Sequence, residues 1–174
     1  MFHVKNNQII QGSSSNYPTF QYWYQAQEFI TNKLVVYTDG SFRTINGKKC
    51  AGYGVYCPSK NIRKYFVLKE PKTNNRAELS AIIKAIRYLK TDLDIYTDSK
   101  YSILIATGTG ERYRKNNYKK APNKDLIEKL LNLQLKYNIS YNHVYGHQGD
   151  HGNEIADKLA EKGCLKDYEL QQLS

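Results

Sequence analysis

Cysteine is scarce in this chain: Cys50, Cys57 and Cys164 are an odd number with no CxxC spacing. That pattern argues against a disulfide-stapled secreted scaffold and a thiolate zinc site, and it predicts reduced structural thiols. No apolar run approaches the ~20 residues needed to span a bilayer. The N-terminus MFHVKNNQII lacks the basic-then-apolar order of a signal peptide. These absences predict a soluble, intracellular protein with no membrane partner, nuclear or cytoplasmic location being left open. Acidic residues are the minority charge, 16 against 26 Lys plus Arg, for a net charge of +10. A phosphate-rich partner is the natural expectation from that surplus. The 20:6 ratio of Lys to Arg, with abundant Asn, Ile and Tyr, reads as an AT-rich coding sequence and carries no functional weight. A length of 174 residues suits one domain with an appendage rather than two domains.

Residues 1–33 differ from the remainder. A polar Gly- and Ser-bearing stretch, Gln11 to Asn16, precedes the aromatic cluster Phe20, Tyr22, Trp23, Tyr24 and Phe29. QYWYQAQEFI reads either as a short helix packing its aromatics on the main domain or as a base-stacking surface. From Lys33 onward LVVYTD, AGYGVYC and IRKYFVL read as three consecutive strands, the first ending at Asp39. NRAELSAIIKAIRYLK has Leu79, Ile82, Ile83 and Ile86 at helical spacing, and DLDIYTD is a fourth strand ending at Asp98. A short helix at KYSILIA, a basic stretch, a helix near Asn123 to Tyr137, a fifth strand ISYNHVYG and a helix from His151 to a stop at Gly163 complete the order. The expected fold is α/β, a mixed five-stranded sheet of three antiparallel then two parallel strands with helices on both faces. The expected organisation is an appendage over 1–33, a main domain over 34–166 and a tail over 167–174.

Four acids stand at separated places within short polar phrases: Asp39 in VVYTDGS, Glu78 in TNNRAEL, Asp98 in DIYTDSK and Asp157 in GNEIAD. Each has an ordinary alternative. Asp39 before Gly40 suits a tight turn, Glu78 three residues after Asn75 suits a capping pair, Asp98 suits a helix N-cap, and Asp157 suits a solvated helix face. Together they suit something else, because strand ends at Asp39 and Asp98 deliver carboxylates to one sheet edge, where open sheets gather ligands. Like charges so close repel unless a divalent cation joins them, and an all-oxygen set suits Mg²⁺.

The surrounding phrases resemble the cellular type 1 ribonuclease H family. TDGS at 38–41, GYGVY at 52–56, TNNRAEL at 73–79, TDSKY at 97–101, NKDL at 123–126 and GHQGDHGNEIADKLA at 146–160 match in order. The resemblance spans about residues 34 to 164 and leaves the N-terminal appendage outside. It implies an RNase H-like fold and hydrolysis of the RNA strand of an RNA/DNA hybrid, leaving 5′-phosphate and 3′-hydroxyl ends. It also implies two Mg²⁺ ions, with Mn²⁺ as a substitute, held by Asp39, Glu78, Asp98 and Asp157, Asp39 bridging both. His147 in the GHQG loop takes the place of a mobile catalytic histidine; its plain alternative is a loop residue.

For the substrate, the resemblance assigns 2′-hydroxyl contacts to Asn74 and Glu78, with Asn46 and Asn75 as added polar contacts or simply turn and cap residues. Thr73 and Asn123 match the pocket for a DNA phosphate, without the arginine some members add there. ERYRKNNYKKAPNK, with Arg112, Arg114, Lys115, Lys119 and Lys120, is similar to the family's basic protrusion but shorter and without its tryptophans. An idle solvated charge run is the alternative there. A monomer is expected. Competing functions are a silent hybrid-binding module, a resolvase-like DNA nuclease and the ribonuclease portion of a reverse transcriptase.

Overall fold

The structure is a computed structural model that describes residues 1–145 and 151–174. Its main sheet has the order β6-β5-β4-β7-β8, with β4 at Leu34–Ile45, β5 at Lys48–Cys57, β6 at Ile62–Val67, β7 at Leu93–Thr97 and β8 at Ile139–His143. β4, β5 and β6 pair antiparallel, whereas β4–β7 and β7–β8 pair parallel. The expected mixed α/β sheet is therefore present.

Successive β4 residues point to opposite faces. Val36 enters a core with Leu79, Ile82 and Ile86 of α2 (Asn74–Leu89) and Ile127 and Leu130 of α5 (Lys124–Lys136). Those five helical residues are fully buried, each stabilising the fold by about 1.5–3 kcal/mol. Val35 and Tyr37 face the other way, toward Ala156 and Leu159 of α6 (His151–Gln172). Between β7 and α5 lie α3 (Lys100–Leu104), a π-helical turn at Ile105–Thr109 and α4 (Gly110–Lys115).

Three boundaries differ from expectation. β4 does not end at Asp39 but runs to Ile45, because its antiparallel partner β5 extends that far, while the parallel pairing with β7 stops at Tyr37. Asp39 therefore lies just beyond the point where β4 loses its second neighbour. Helix α6 does not stop at Gly163 but continues to Gln172, taking in most of the predicted tail. Gly163 is required by contact, not termination: a Cβ there would lie 2.3 Å from the Phe66 carbonyl oxygen. Asp167, one turn later, is buried and accepts from Ala51 N at 2.9 Å and Lys72 Nζ at 3.0 Å, which fixes the extended helix to the sheet.

The third difference is in the first 20 residues, for which the sequence reading names no strand and which form a small sheet of β1 (Phe2–Lys5), β2 (Gln8–Gln11) and β3 (Thr19–Phe20) in the order β2-β1-β3. Asn6 and Asn7, at φ 53° and 58°, make the two-residue turn between β1 and β2. The aromatic segment forms α1 (Trp23–Thr31) and packs on the main sheet, as the first of the two readings had it. Trp23 meets Tyr96 edge-on at 5.5 Å, Gln27 donates to Asp94, and Glu28 accepts from Val35 N at 2.9 Å. Trp23→Ala should lower stability by about 2–3 kcal/mol in urea unfolding; an unchanged midpoint would show that α1 does not brace the sheet. All three cysteines are free and buried, as expected of structural thiols. No described helix is long and apolar enough to cross a membrane.

Candidate active site

The elements deliver the four acids to one place. Asp39, Glu78, Asp98 and Asp157 line a single pocket of about 460 Å³ together with Asn74, Asn75 and Tyr101. Asp39, Glu78 and Asp98 each offer an oxygen within 4.8 Å of the others. Asp157, from the second turn of α6, lies within hydrogen-bonding reach of Asp39. The ordinary alternatives are resolved by their caps. Thr73 caps α2, its hydroxyl accepting from Arg76 N at 3.1 Å, so Glu78 is not spent on the helix end. Ser99 caps α3 by accepting from Ser102 N, which leaves Asp98 unengaged by that helix. Asp39 sits in a strand rather than a tight turn.

Close approach comes from Gly40. A Cβ at that position would stand 2.6 Å from Glu78 N and 2.7 Å from the Ala77 carbonyl carbon, so only glycine lets α2 lie against β4 there. The result brings Glu78 against Asp39 at a depth where both are nearly inaccessible, at 6% and 3% exposure.

Burial raises the Asp39 carboxyl far above its ordinary range, and the neighbouring Glu78 and Asp98 charges raise it further. Glu78 rises for the same reasons, burial first and Asp98 next, and Asp98 is raised by burial as well. A buried Glu78 Oε2 has no hydrogen-bond donor among the described residues. A cluster of hard oxygen ligands that raises its own pKa values and leaves one buried oxygen without a donor fits a divalent cation. No thiolate or imidazole is part of the set among the described residues.

Residues 31–165 match the family model described as RNase H. The chain belongs to the RNase H family. Its sequence is 41% identical over 117 residues to a ribonuclease H of Schizosaccharomyces pombe, covering 62% of this chain and 44% of that protein. A ribonuclease H of Ruthia magnifica is 36% identical over 116 residues, covering 62% and 78% of the two chains. This RNase H-family chain thus spans less than half the length of the first relative. Among solved structures, the foamy viral protease-reverse transcriptase in complex with RNA/DNA hybrid superposes with a TM-score of 0.62 at 21% identity, over 90% of this chain and 22% of that one. LC11-RNase H1 in complex with RNA/DNA hybrid gives 0.55 at 23% identity, over 77% and 98%. Both likenesses show the RNase H fold.

The other expected contacts of this RNase H-family chain divide into two groups. Asn74 and Asn75 reach the acidic pocket. Thr73 and Asn123 lie on adjoining loops joined by Arg76, a residue the sequence reading passed over. Its guanidinium forms a two-pronged pair with Asp125 at 2.7 and 2.9 Å, and also donates to the Pro71 carbonyl and weakly to Asn123 Oδ1. That pairing raises Arg76 and holds Asp125 down at about 2. Asn123, in left-handed backbone at φ 60°, donates to Tyr101 Oη at 2.9 Å, tying the pair to the pocket rim.

Asn46 is not brought to the pocket. It occupies the β4–β5 turn with φ 49° beside Gly47, and its amide donates to Tyr168 Oη at 2.7 Å, so its turn alternative holds. Arg112, Arg114, Lys115, Lys119 and Lys120 are all exposed at the α4 end and the turns after it. Arg114 pairs with Glu111 at 2.6 Å, leaving the other four cations without a carboxylate partner among the described residues. His147 lies outside the described residues.

Proposed function

We propose that this chain is an endonuclease that hydrolyses the RNA strand of RNA/DNA hybrids, leaving 5′-phosphate and 3′-hydroxyl ends, with two Mg²⁺ ions as cofactors and Mn²⁺ as a substitute. The observation that carries the reading is the convergence of four carboxylates from three elements and one loop on one pocket, inside a chain of net charge +10. Relatives named ribonuclease H support it, as do fold neighbours described in complex with RNA/DNA hybrid. Asp39 would be shared between two ions, Glu78 and Asp98 completing one set of ligands and Asp157 the other. Bound divalent cations supply charge neutralisation at the phosphate and activation of the attacking water.

The residues supply placement. Asn74 and Asn75 at the pocket mouth, and Glu78 from deeper within it, offer polar groups to adjacent 2′-hydroxyls, the feature that distinguishes RNA from DNA. Thr73 and Asn123 hold a phosphate of the DNA strand, and Arg76 keeps their two loops in register without reading sequence. The exposed cations of α4 and the turns after it grip the duplex backbone. His147 serves near the departing phosphate. All four carboxylates come from one chain, which suits a monomer.

End-labelled hybrid, DNA duplex and RNA duplex, each with Mg²⁺ or EDTA, test the reading. Cutting should be confined to the RNA strand of the hybrid, vanish in EDTA and yield ends that a 5′-phosphate-dependent exonuclease degrades. Comparable cutting of the DNA duplex would overturn the substrate assignment. Replacing Arg112, Lys115, Lys119 and Lys120 together with Ala should flatten the log–log salt dependence of hybrid binding by about 3 in slope. An unchanged slope would mean that the protrusion is idle.

A further inference from the structure

Three features on the α6 side of the sheet lie outside the site above and belong together. The first is a cavity of about 460 Å³ lined by Tyr22, Trp23 and Tyr24 of the N-terminal segment and by Tyr37 and Tyr56 of the sheet. Tyr22 is 48% exposed and stacks on Tyr24 at 5.4 Å with an angle of 5° between the rings. The second is a row of side chains across three strands: the register sets Tyr37 opposite Tyr56, and Tyr56 opposite Arg63. The Arg63 guanidinium lies over the Tyr56 ring at 5.2 Å. The third is an adjoining depression of about 470 Å³ whose wall includes Arg63, Tyr65, Lys158 and Lys162 and no carboxylate. The two depressions meet at His151. Arg63, Lys158 and Lys162 have no carboxylate partner among the described residues.

Cations free of carboxylates beside an aromatic cavity make the combination that holds single-stranded nucleic acid, in which cations take phosphates and ring faces take unstacked bases. A duplex hides its base faces, so an aromatic cavity would add nothing to duplex binding. The surface also adjoins the acidic pocket. Tyr37 precedes Asp39 by two residues on the same face of β4, and α6 places Asp157 in the acidic pocket and Lys158 in the basic depression.

We propose that the surface from Tyr22 across Tyr56 to Arg63 and Lys162 is a binding track for a single-stranded stretch of nucleic acid. It rests on the hybrid-cutting reading only for the further statement that this stretch is the unpaired flank of the duplex being cut. The track makes the N-terminal segment, which lies almost wholly outside the RNase H match, half of a second binding surface.

Fluorescence anisotropy in EDTA, where no cutting intrudes, provides the test with three probes: a blunt hybrid, the same hybrid with an overhang of about ten nucleotides, and the overhang strand alone. The overhang should tighten binding by about tenfold, the order expected of one base stacked on an aromatic ring. Tyr22→Ala combined with Arg63→Ala and Lys162→Ala should erase that gain while leaving blunt-hybrid affinity and its cleavage in Mg²⁺ unchanged. Tyr22→Trp should retain it. No gain from the overhang in the unmodified protein overturns the proposal. Equal weakening of the blunt and overhang probes in the triple variant also overturns it, assigning the cations to the duplex backbone. A protein that grips the lone strand through Tyr22 yet neither binds nor cuts the blunt hybrid would sink the hybrid-cutting reading and leave the track standing.

Discussion

Asp39→Asn should reduce hybrid cleavage by more than about a thousandfold and, in the same protein, raise the melting temperature measured in EDTA. Both effects come from one arrangement. The carboxyl is held against Glu78 and Asp98 in a buried site, and its folded-state pKa lies well above the ordinary value of 3.8. A raised carboxyl stabilises the fold while it keeps its proton, and that contribution is lost as pH climbs from about 4 through neutrality toward the folded value. Asn has the shape of the protonated acid and never ionises, so the variant escapes the loss. The stability gap should be near zero around pH 4 and reach about 1–3 kcal/mol at neutral pH and above. Adding Mg²⁺ should stabilise the unmodified protein more than the variant and close the gap. Thermal melts across pH, with and without metal, read this directly. Identical melts at pH 8 in EDTA, or undiminished cutting, would show that the pocket is not the charge trap described.

Gly52→Ala is the second large effect expected, a loss of about 3 kcal/mol or more from a single methyl group. The added carbon would stand 2.3 Å from Cys164 N and from the Gly163 carbonyl carbon, both backbone atoms that cannot swing aside. Relief requires α6 to lift from the sheet, and Asp157, two turns earlier on that helix, would move with it. Cleavage should therefore fall even under conditions where the variant remains folded. Gly108→Ala is the control, since its methyl group meets nothing within 4 Å and no left-handed backbone is involved. Urea unfolding of the pair, followed by cleavage rates at low urea, separates the contact from any general cost of losing a glycine. Equal midpoints would show that α6 tolerates displacement.

Much of this was legible in the chain, and the parts that were not share a cause. The apolar spacing of Leu79, Ile82, Ile83 and Ile86 declared α2, and the phrases TDGS, TNNRAEL and TDSK marked three of the acids, because strand and helix ends use local chemistry that short stretches record. Where the decisive partner is far away in sequence, the local signal misleads. Gly163 reads as a helix stop, yet its constraint is a strand nearly 100 residues earlier, at Phe66. Asn46 reads as a polar contact for a ligand until Tyr168, 122 positions away, is seen to accept its amide proton. Arg76 looks like a solvated cation on a helix, and only the first turn of α5, which brings Asp125 onto it, makes it a buried fastener. The N-terminal sheet was missed for a different reason: its strands are short and mostly half-exposed, with Val4 the one buried hydrophobic residue, and the Asn6–Asn7 turn was the available clue.

The three sulfurs have a practical consequence. Cys50, Cys57 and Cys164 are buried, and burial raises each thiol above its ordinary range, so little thiolate is present near neutral pH. Reaction with maleimides needs the thiolate and access to it. A cysteine introduced on the surface, at Lys115 for example, would then be the reactive handle, and a fluorophore attached there would report docking without first stripping the native sulfurs from the fold.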